Sequence, residues 1–590
     1  MSLLNDASLI LVPSAIKTGE VLVQKPLPNK FADETGNYDG NDPQGSANLT
    51  FTRASNASRV NADGLVERVR TNYLLQSNTF DTTWGGSTTP TSGQSGYDGS
   101  SDAWLIQNVA NGAWRSQSIS PSGVNTISVY MKAGNVSWGR IAVSGGTIFS
   151  VYFDLSTGAI GSQSNTIDAT IEDMGSGFYR CSVTFLANSN TLVLIYPASA
   201  NNTLGLTGDN ILIQNAQMEQ GLVATDYLET TTSARSTFAG ITVDGTSVPN
   251  VPRLDYSGGA SCPSLLLEPQ RTNALEYSEY FGASYWTKTG SSVVGGFTSP
   301  EGLSNAYELT EDTSTGTHEI TRSITNVVST SYSISVFAKA NTRNWIRLSS
   351  ADGGFVYFNL STGEKGTETN ATGKIVPFSN GWYRCQITFT ASGINGSATI
   401  RIAESDGVTS YTGESKSVFL YGFQYETGSY STSLISTQGS AVTRLADSAY
   451  GAGTSSTFND SEGVLFVEMS SLQDGRLAVK NSDGSDQVIF GTTNGNVFYR
   501  IRENNINIFT EFSGVSGRVN RKIALKYKSA DTSIFVDGVK YNLNTSTYTL
   551  AGLNEFLFTS EGNTTYGNIK QTTYFPTALT DAQCIELTTL

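Results

Sequence analysis

Histidine is nearly absent from this sequence: His318 stands alone among 590 residues. A Ser–His–Asp machine would have to be built on that one imidazole, yet no GxSxG nucleophile elbow occurs. A zinc site needs several His or Cys side chains close together. The four cysteines, Cys181, Cys262, Cys385 and Cys584, are far apart, and that spacing draws neither a disulfide framework nor a CxxC centre. Phosphate-cradling GxxxxGK(S/T) and dinucleotide GxGxxG patterns in a βαβ setting are missing as well. Positive charge is scarce: 36 Lys and Arg face 51 Asp and Glu, a net of −15 at pH 7. Phosphate backbones demand clustered cations, so no nucleic-acid partner is expected. The short basic spots Arg68–Arg70 and Arg518–Lys528 read as solvated strand faces. No apolar run reaches the length of a membrane helix, so membrane insertion is not expected. In the opening MSLLNDASLILVPSA, Asn5 and Asp6 stand where a secretory signal needs positive charge, and the stretch reads as a mature N-terminus.

What is abundant is repetition. GSGFYRCSVTF (Gly175–Phe185) returns as SNGWYRCQITF (Ser379–Phe389). Around that phrase, ERVRTNYLLQSNTFDTTW answers to EPQRTNALEYSEYFGASYW, ISVYMKA to ISVFAKA, VYFDLSTG to VYFNLSTG, and QMEQG to QYETG. The offset stays near two hundred residues throughout, so a whole domain is duplicated. Apolar and polar residues alternate over four to eight positions and end at Gly, Asn or Ser clusters, which is strand patterning. In YRCSVTF this places Tyr179, Cys181, Val183 and Phe185 on one face, with Arg180, Ser182 and Thr184 on the outward one. Arg384 follows Arg180. A catalytic repeat would need a proton-transfer partner beside each copy, and none is written. The buried thiols Cys181 and Cys385 are expected to act as small apolar residues.

The fold class expected is all-β and multi-domain: two tandem antiparallel jelly-roll sandwiches, then a larger sandwich. The boundaries are 1–66 for an N-terminal β-rich segment, 67–236 and 268–446 for the two modules, 237–267 for a connector, and 447–590 for the last domain. There, VDGV at Val536–Val539 signals a hairpin, and Thr580 with Gln583 signals a capping box opening one short helix.

These phrases resemble modules of tailed-bacteriophage virion proteins. VPRLDYSGGASCPSLLLEPQRTNALEYSEYF leads into VFAKA, VYFNLSTG, NGWYRCQITF, FQYETG and AVTRLAD, the pattern of a phage fibre jelly-roll, and the first copy is similar with a degenerate start. The last third, with KIALKY, IFVDGV and PTALTDAQ, resembles concanavalin A-like or laminin-G-like lectin domains. The resemblance spans residues 50 to 590. It implies a virion structural protein of a head or tail fibre or appendage, made in the host bacterial cytoplasm and presenting carbohydrate-binding sandwiches for host adhesion. It implies that the N-terminal segment docks on other virion proteins, that host-surface glycans are the ligand, and that the chain is a homo-oligomer, with a trimer favoured. The alternatives are a purely structural decoration or assembly protein and a polysaccharide depolymerase. Glycoside hydrolysis needs two opposed carboxylates, but the ExDxxE strand of concanavalin-like hydrolases is missing, so no enzyme and no catalytic residue is expected.

Two sets of site residues remain. The repeated Glu219 and Glu426 could hold a structural Ca²⁺ or be strand-end carboxylates paired to Arg or backbone N–H. Sugars stack on exposed rings, so aromatics decide a glycan site. Trp138 and Trp345 recur at matching positions, where a ring can be a core plug or a platform. Trp114 is unmatched, beside an NG turn. In the last domain the candidates are Phe498, Tyr499 and Tyr541. No organic cofactor is expected. His318 matches Ala113 of the first copy and reads as structural.

Overall fold

A computed structural model describes residues 6–11, 49–187, 191–238, 241–244, 252–352 and 354–589. The protein is built of antiparallel sheets, with one α-helix, Asp581–Thr588, among the described residues. That helix opens on the expected capping box: the Thr580 hydroxyl accepts from the Gln583 N–H while the Gln583 side chain accepts from the Thr580 N–H. No described helix is long and apolar enough to cross a membrane.

The duplication in sequence is a duplication of topology. In module 1 one sheet runs Thr88–Gln94, Ala103–Asn108, Asn210–Gln220, Gly123–Ala133, Phe178–Ala187, Asp168–Gly175, and module 2 repeats it as Ser291–Phe297, Ala306–Glu311, Ser417–Thr427, Ser331–Ala340, Tyr383–Thr390, Thr372–Pro377. The facing sheet of module 1 runs Gly85–Gly86, Arg115–Ile119, Thr191–Ala200, Trp138–Gly145, Thr147–Asp154, Ala159–Ser164. Module 2 repeats that order as well, from Thr287–Thr289 to Glu364–Thr369. Alternate residues fill each core: Val129, Cys181, Val183 and Met218 meet Ile141, Val151 and Ile195 in module 1. Val336, Cys385, Ile387 and Tyr425 meet Ile346, Val356 and Ile400 in module 2.

The outward face of the repeated phrase is not solvated as expected. Arg180 and Arg384 are only 9% and 8% exposed, because the chain following the Gln-x-Glu strand folds back over them. Arg180 donates to Ser128 Oγ (3.2 Å) and to the Thr225 carbonyl, and Arg384 to Ser335 Oγ (3.1 Å) and the Thr432 carbonyl. The Asn of each RTN triplet staples the same return loop: Asn72 donates to the carbonyls of Ala216 and Leu228, and Asn273 to those of Phe423 and Ile435. The phrase is scaffold on both faces.

The third sandwich gathers strands from distant parts of the chain. Leu9–Leu11 pairs with Thr572–Tyr574, Thr50–Thr52 pairs with Ser448–Tyr450, and the hairpin Arg253–Asp255/Ser264–Leu267 pairs with Gly567–Ile569. Leu9, Leu11, Phe51, Leu265 and Leu267 enter the same core as Leu465, Phe490, Leu525 and Tyr574. Residues drawn from sequence as a separate N-terminal segment and a connector therefore supply strands to both sheets of this sandwich, 50–52 to one and 9–11 with 253–267 to the other. The physical reason is edge protection: without them the strand Gly567–Phe575 would present an unpaired backbone row. The rest of the 1–66 segment up to residue 48, apart from 6–11, lies outside the described residues.

Buried charges join the parts. Glu268, at the start of module 2, accepts from Arg253 and Arg444 at 2.6 Å each, and Asp447 pairs with Arg53 (3.1 Å) and Arg253. Between the modules, Arg68 meets Glu279 (3.0 Å) and Glu301 (2.8 Å), and Arg70 meets Glu301 (2.8 Å).

Candidate functional site

Glu219 and Glu426 are buried, and their oxygens are occupied by the protein itself. Thr225 donates its N–H (2.7 Å) and hydroxyl (2.6 Å) to Glu219, and Thr432 does the same to Glu426 (3.1 Å and 2.5 Å). Gln217 and Gln424 add a third donor to each. Among the described residues no group of three or more His, Cys, Asp or Glu gathers around a metal position. Each carboxylate is a strand-end anchor of the return loop, paired to a backbone N–H as the second of the two sequence readings has it.

The rings sort into buried plugs and a half-buried pair on an outward face. Trp84, Trp286 and Trp382 are buried in or beside the cores. Trp138 and Trp345 instead lie on the outward face of the second sheet in each module, two residues before Arg140 and Arg347, and both are half-buried. Each indole reaches across the adjacent strand to a glycine of the next strand but one. A Cβ on Gly161 would stand 2.6 Å from Trp138, and one on Gly366 2.8 Å from Trp345. Glycine is what leaves room for each ring at that place.

Beside each indole sits a guanidinium stacked on rings. Arg140 lies over Tyr152 (5.4 Å to the centroid) and Tyr196 (4.9 Å), and Arg347 over Phe355 (4.8 Å) and Tyr357 (6.0 Å). Such stacking holds a cation flat at about 0.5–1 kcal/mol per contact when exposed. The Nε of each arginine has no hydrogen-bond partner among the described residues. Burial, with Arg401 nearby, holds the Arg347 guanidinium below its ordinary pKa. At the edge of each face a polar side chain pins the glycine strand: Asn201 accepts from the Ser162 N–H (2.8 Å), and Asp406 from the Thr367 N–H (2.8 Å). The Trp-x-Arg and VYF phrases were the sequence signal for this face, and Arg140, Arg347, Tyr152 and Tyr357 were not picked out from it.

Trp114 is 37% exposed and extends the module 1 face, with its ring 6.1 Å from Tyr196. Module 2 differs there. His318 is fully buried, its Nδ1 2.7 Å from the Gly290 carbonyl, and Tyr411 donates to Glu311 (2.6 Å), which Arg343 also grips (2.9 Å). This is a packed polar plug, as expected for a structural histidine.

In the last domain two of the three ring candidates are corrected. Phe498 is 1% exposed and Tyr499 fully buried. Tyr499 faces the core, and Phe498, on the other face, is roofed by Arg476 (5.5 Å) and Arg500 (5.8 Å), which converge with Arg502 on Glu561. Tyr541 is half-buried against the core. Exposed rings there are Phe512, at 47%, and Tyr450, at 39%, which sequence reading missed because both lie in stretches that alternate weakly.

No protein-family model matches the sequence, and no curated protein does. Among solved structures, the CBM40 of Ruminococcus gnavus IT-sialidase bound to α2,3-sialyllactose is 17% identical over 22% of this chain and 84% of its own, with TM-score 0.20. The tandem CBM22-1–CBM22-2 domain of Paenibacillus barcinonensis Xyn10C is 11% identical over 64% and 99%, with TM-score 0.19. Domains LG4-5 of the mouse laminin α1 chain are 8% identical over 45% and 89%, with TM-score 0.17. At such scores the likeness concerns pieces of β-sandwich and carries no functional weight.

Proposed function

We propose that this chain is a glycan-binding adhesion protein of a tailed-phage virion, a head or tail fibre or appendage. It engages host-surface saccharides through the outward faces of its two repeated modules. The observation that carries the glycan reading is the twice-built face: Trp138, Arg140 and Tyr152 in one module, Trp345, Arg347 and Tyr357 in the other. A half-buried ring at a surface offers its π-face to sugar C–H groups, and a guanidinium beside it supplies donors for sugar oxygens. The virion placement is supported by the resemblance of the repeated phrases to phage fibre modules.

The test is a glycan array run with the parent chain and with the double variant Trp138→Ala/Trp345→Ala. Retention of a defined glycan set, lost in the double variant without a drop in melting temperature, is the expected result; an array blank for the parent chain refutes it. Incubation with the retained polysaccharide should release no reducing ends, since the protein binds rather than cleaves. The second reading, a decoration protein acting through protein contacts, draws on the exposed Phe512 (47%) and Leu543 (53%) of the last sandwich. A homo-oligomer, with a trimer favoured, belongs to the fibre reading, and a monomer by light scattering at micromolar concentration contradicts it.

A further inference from the structure

Each repeated module has a cleft at the same end of its sandwich, and the two clefts are lined differently. In module 1 the cleft, about 520 Å³, is walled by Thr147, Phe149 and Leu186, and Tyr277, Tyr280 and Gly439 of module 2 lie against it. In module 2 the cleft is larger, about 720 Å³, and is walled by Asp352, Thr372, Thr388, Phe389, Thr390 and Ser392, with no residue of another domain on its wall. Strand register explains the change. Ser350 pairs with Gly354 as Val143 pairs with Phe149, so Gly354 stands where module 1 has Phe149; the hairpin is two residues shorter and carries Asp352 at its turn; the matched Tyr-Arg-Cys strands place Thr390 where module 1 has Leu186. Phe149 stacks on Phe185 at 5.5 Å in the first cleft. Its replacement by Gly354 removes that ring and opens the second. The module 1 cleft is thus a mixed seat covered by tyrosines of the same chain, whereas its copy keeps Phe389 and Ala371, is covered by no other domain among the described residues, and adds hydroxyls and a carboxylate.

The carboxylate of Asp352 is held in place on one side only. Its Oδ2 accepts from Asn326 Nδ2 (2.9 Å), and Asn326 Oδ1 accepts in turn from the Tyr425 hydroxyl (2.7 Å). Its Oδ1 has no hydrogen-bond partner among the described residues. An acceptor buried without a donor is costly, by about 1–3 kcal/mol for a neutral group and more for a charged one. Asp352 lines the cleft, and a hydroxyl that displaces the cover over Oδ1 would relieve that cost.

We infer that the module 2 cleft is a second saccharide site, separate from the outward faces, which takes a neutral sugar residue through a hydroxyl donated to Asp352. The neighbouring Thr and Ser hydroxyls offer both donors and acceptors, which suits a polyol and does not suit an apolar protein side chain. A carboxylate at the wall of a chain of net charge −15 repels an acidic sugar. The inference shares the glycan-binding reading only in its ligand class, and none of its residues belongs to the outward faces.

The experiment is saturation-transfer NMR with the methyl glycosides of glucose, galactose, mannose and N-acetylglucosamine, and with glucuronic acid, at millimolar concentration. The proteins are the full chain, the Trp138→Ala/Trp345→Ala double variant, and that double variant carrying Asp352→Asn or Thr390→Leu. At least one neutral glycoside should bind the double variant, glucuronic acid should not, and each added substitution should weaken binding about ten-fold. Thr390 is exposed, so its leucine variant tests the cleft even if Asp352→Asn proves unstable. Binding by no neutral glycoside, binding unchanged in both added variants, or equal binding of glucuronic acid would overturn the inference. The outward-face reading fails separately, on the glycan array.

Discussion

Glu268→Gln should loosen the joint between module 2 and the third sandwich while its repeat counterpart, Glu67→Gln, should not. Glu268 is buried between Arg253 and Arg444 at 2.6 Å each, and it also accepts from the Ser433 N–H (2.7 Å) and hydroxyl (2.6 Å). Burial alone would raise its pKa; the two guanidinium groups and Ser433 outweigh that and hold the carboxyl far below the usual carboxylate range. Glutamine keeps the shape but removes the charge, leaving Asp447 to balance Arg53, Arg253 and Arg444. Breaking a buried pair from one side costs about 3–5 kcal/mol, and the retained amide contacts favour the lower end. At about 2–4 °C per kcal/mol for a domain of this size, the transition should fall by about 6–12 °C. Glu67 pairs with Arg59 at 25% and 12% side-chain exposure, where such a pair is worth less than about 1 kcal/mol. Differential scanning calorimetry of both variants reads the contrast. Equal shifts, or a shift under about 2 °C for Glu268→Gln, would refute the idea that these charges hold the joint. Because the folded pKa is depressed, this stabilisation is fully present above the unfolded carboxylate pKa and is lost as pH falls towards the folded value. The contrast between the two variants should therefore fade in acid.

Other outcomes follow from the same contacts. Gly161→Ala places a Cβ 2.6 Å from Trp138 and should lower glycan retention on the array with a melting shift small beside that of Glu268→Gln; unchanged retention would mean the indole's position is not needed. Leu9→Ala removes a fully buried side chain from the core of the third sandwich and should cost about 2–5 kcal/mol, measured as a lowered transition, despite its distance in sequence from residues 447–590. Burial pushes the thiols of Cys181 and Cys385 well above their ordinary pKa and that of Cys584 up to about 12, while Cys262 is exposed. Thiol titration of the native protein should accordingly find one fast-reacting cysteine, and Cys262→Ser should abolish it.

The parts of the fold that could be read ahead were those written in local periodicity. The Tyr-Arg-Cys, VYF and Gln-x-Glu phrases alternate with period two, and each became a strand in the same place of both sandwiches. Pairing over hundreds of residues leaves no such mark. Leu9–Leu11 is an apolar triplet like many others, and only the open edge of Gly567–Phe575 explains its role. Exposure was equally hidden. Phe498 and Tyr499 are neighbours on opposite faces, yet one is covered by the core and the other by arginines contributed from two strands. Arg180 and Arg384 were placed on the correct face, but the loop that buries them comes from about forty-five residues further along. The repeated Trp–Arg face was half legible: Trp138 and Trp345 were visible as a repeat, whereas the glycines beside them become meaningful only once the strands are laid side by side.

Because residues 9–11 run alongside residues 572–574, the third sandwich closes the chain into a ring, with both modules strung along the intervening loop. During synthesis the earliest of these strands must wait, unpaired, until the last has left the ribosome, so the modules can fold first and the closing sheet comes last. A load applied between those two strands would be borne by their few shared hydrogen bonds and bypass the modules altogether.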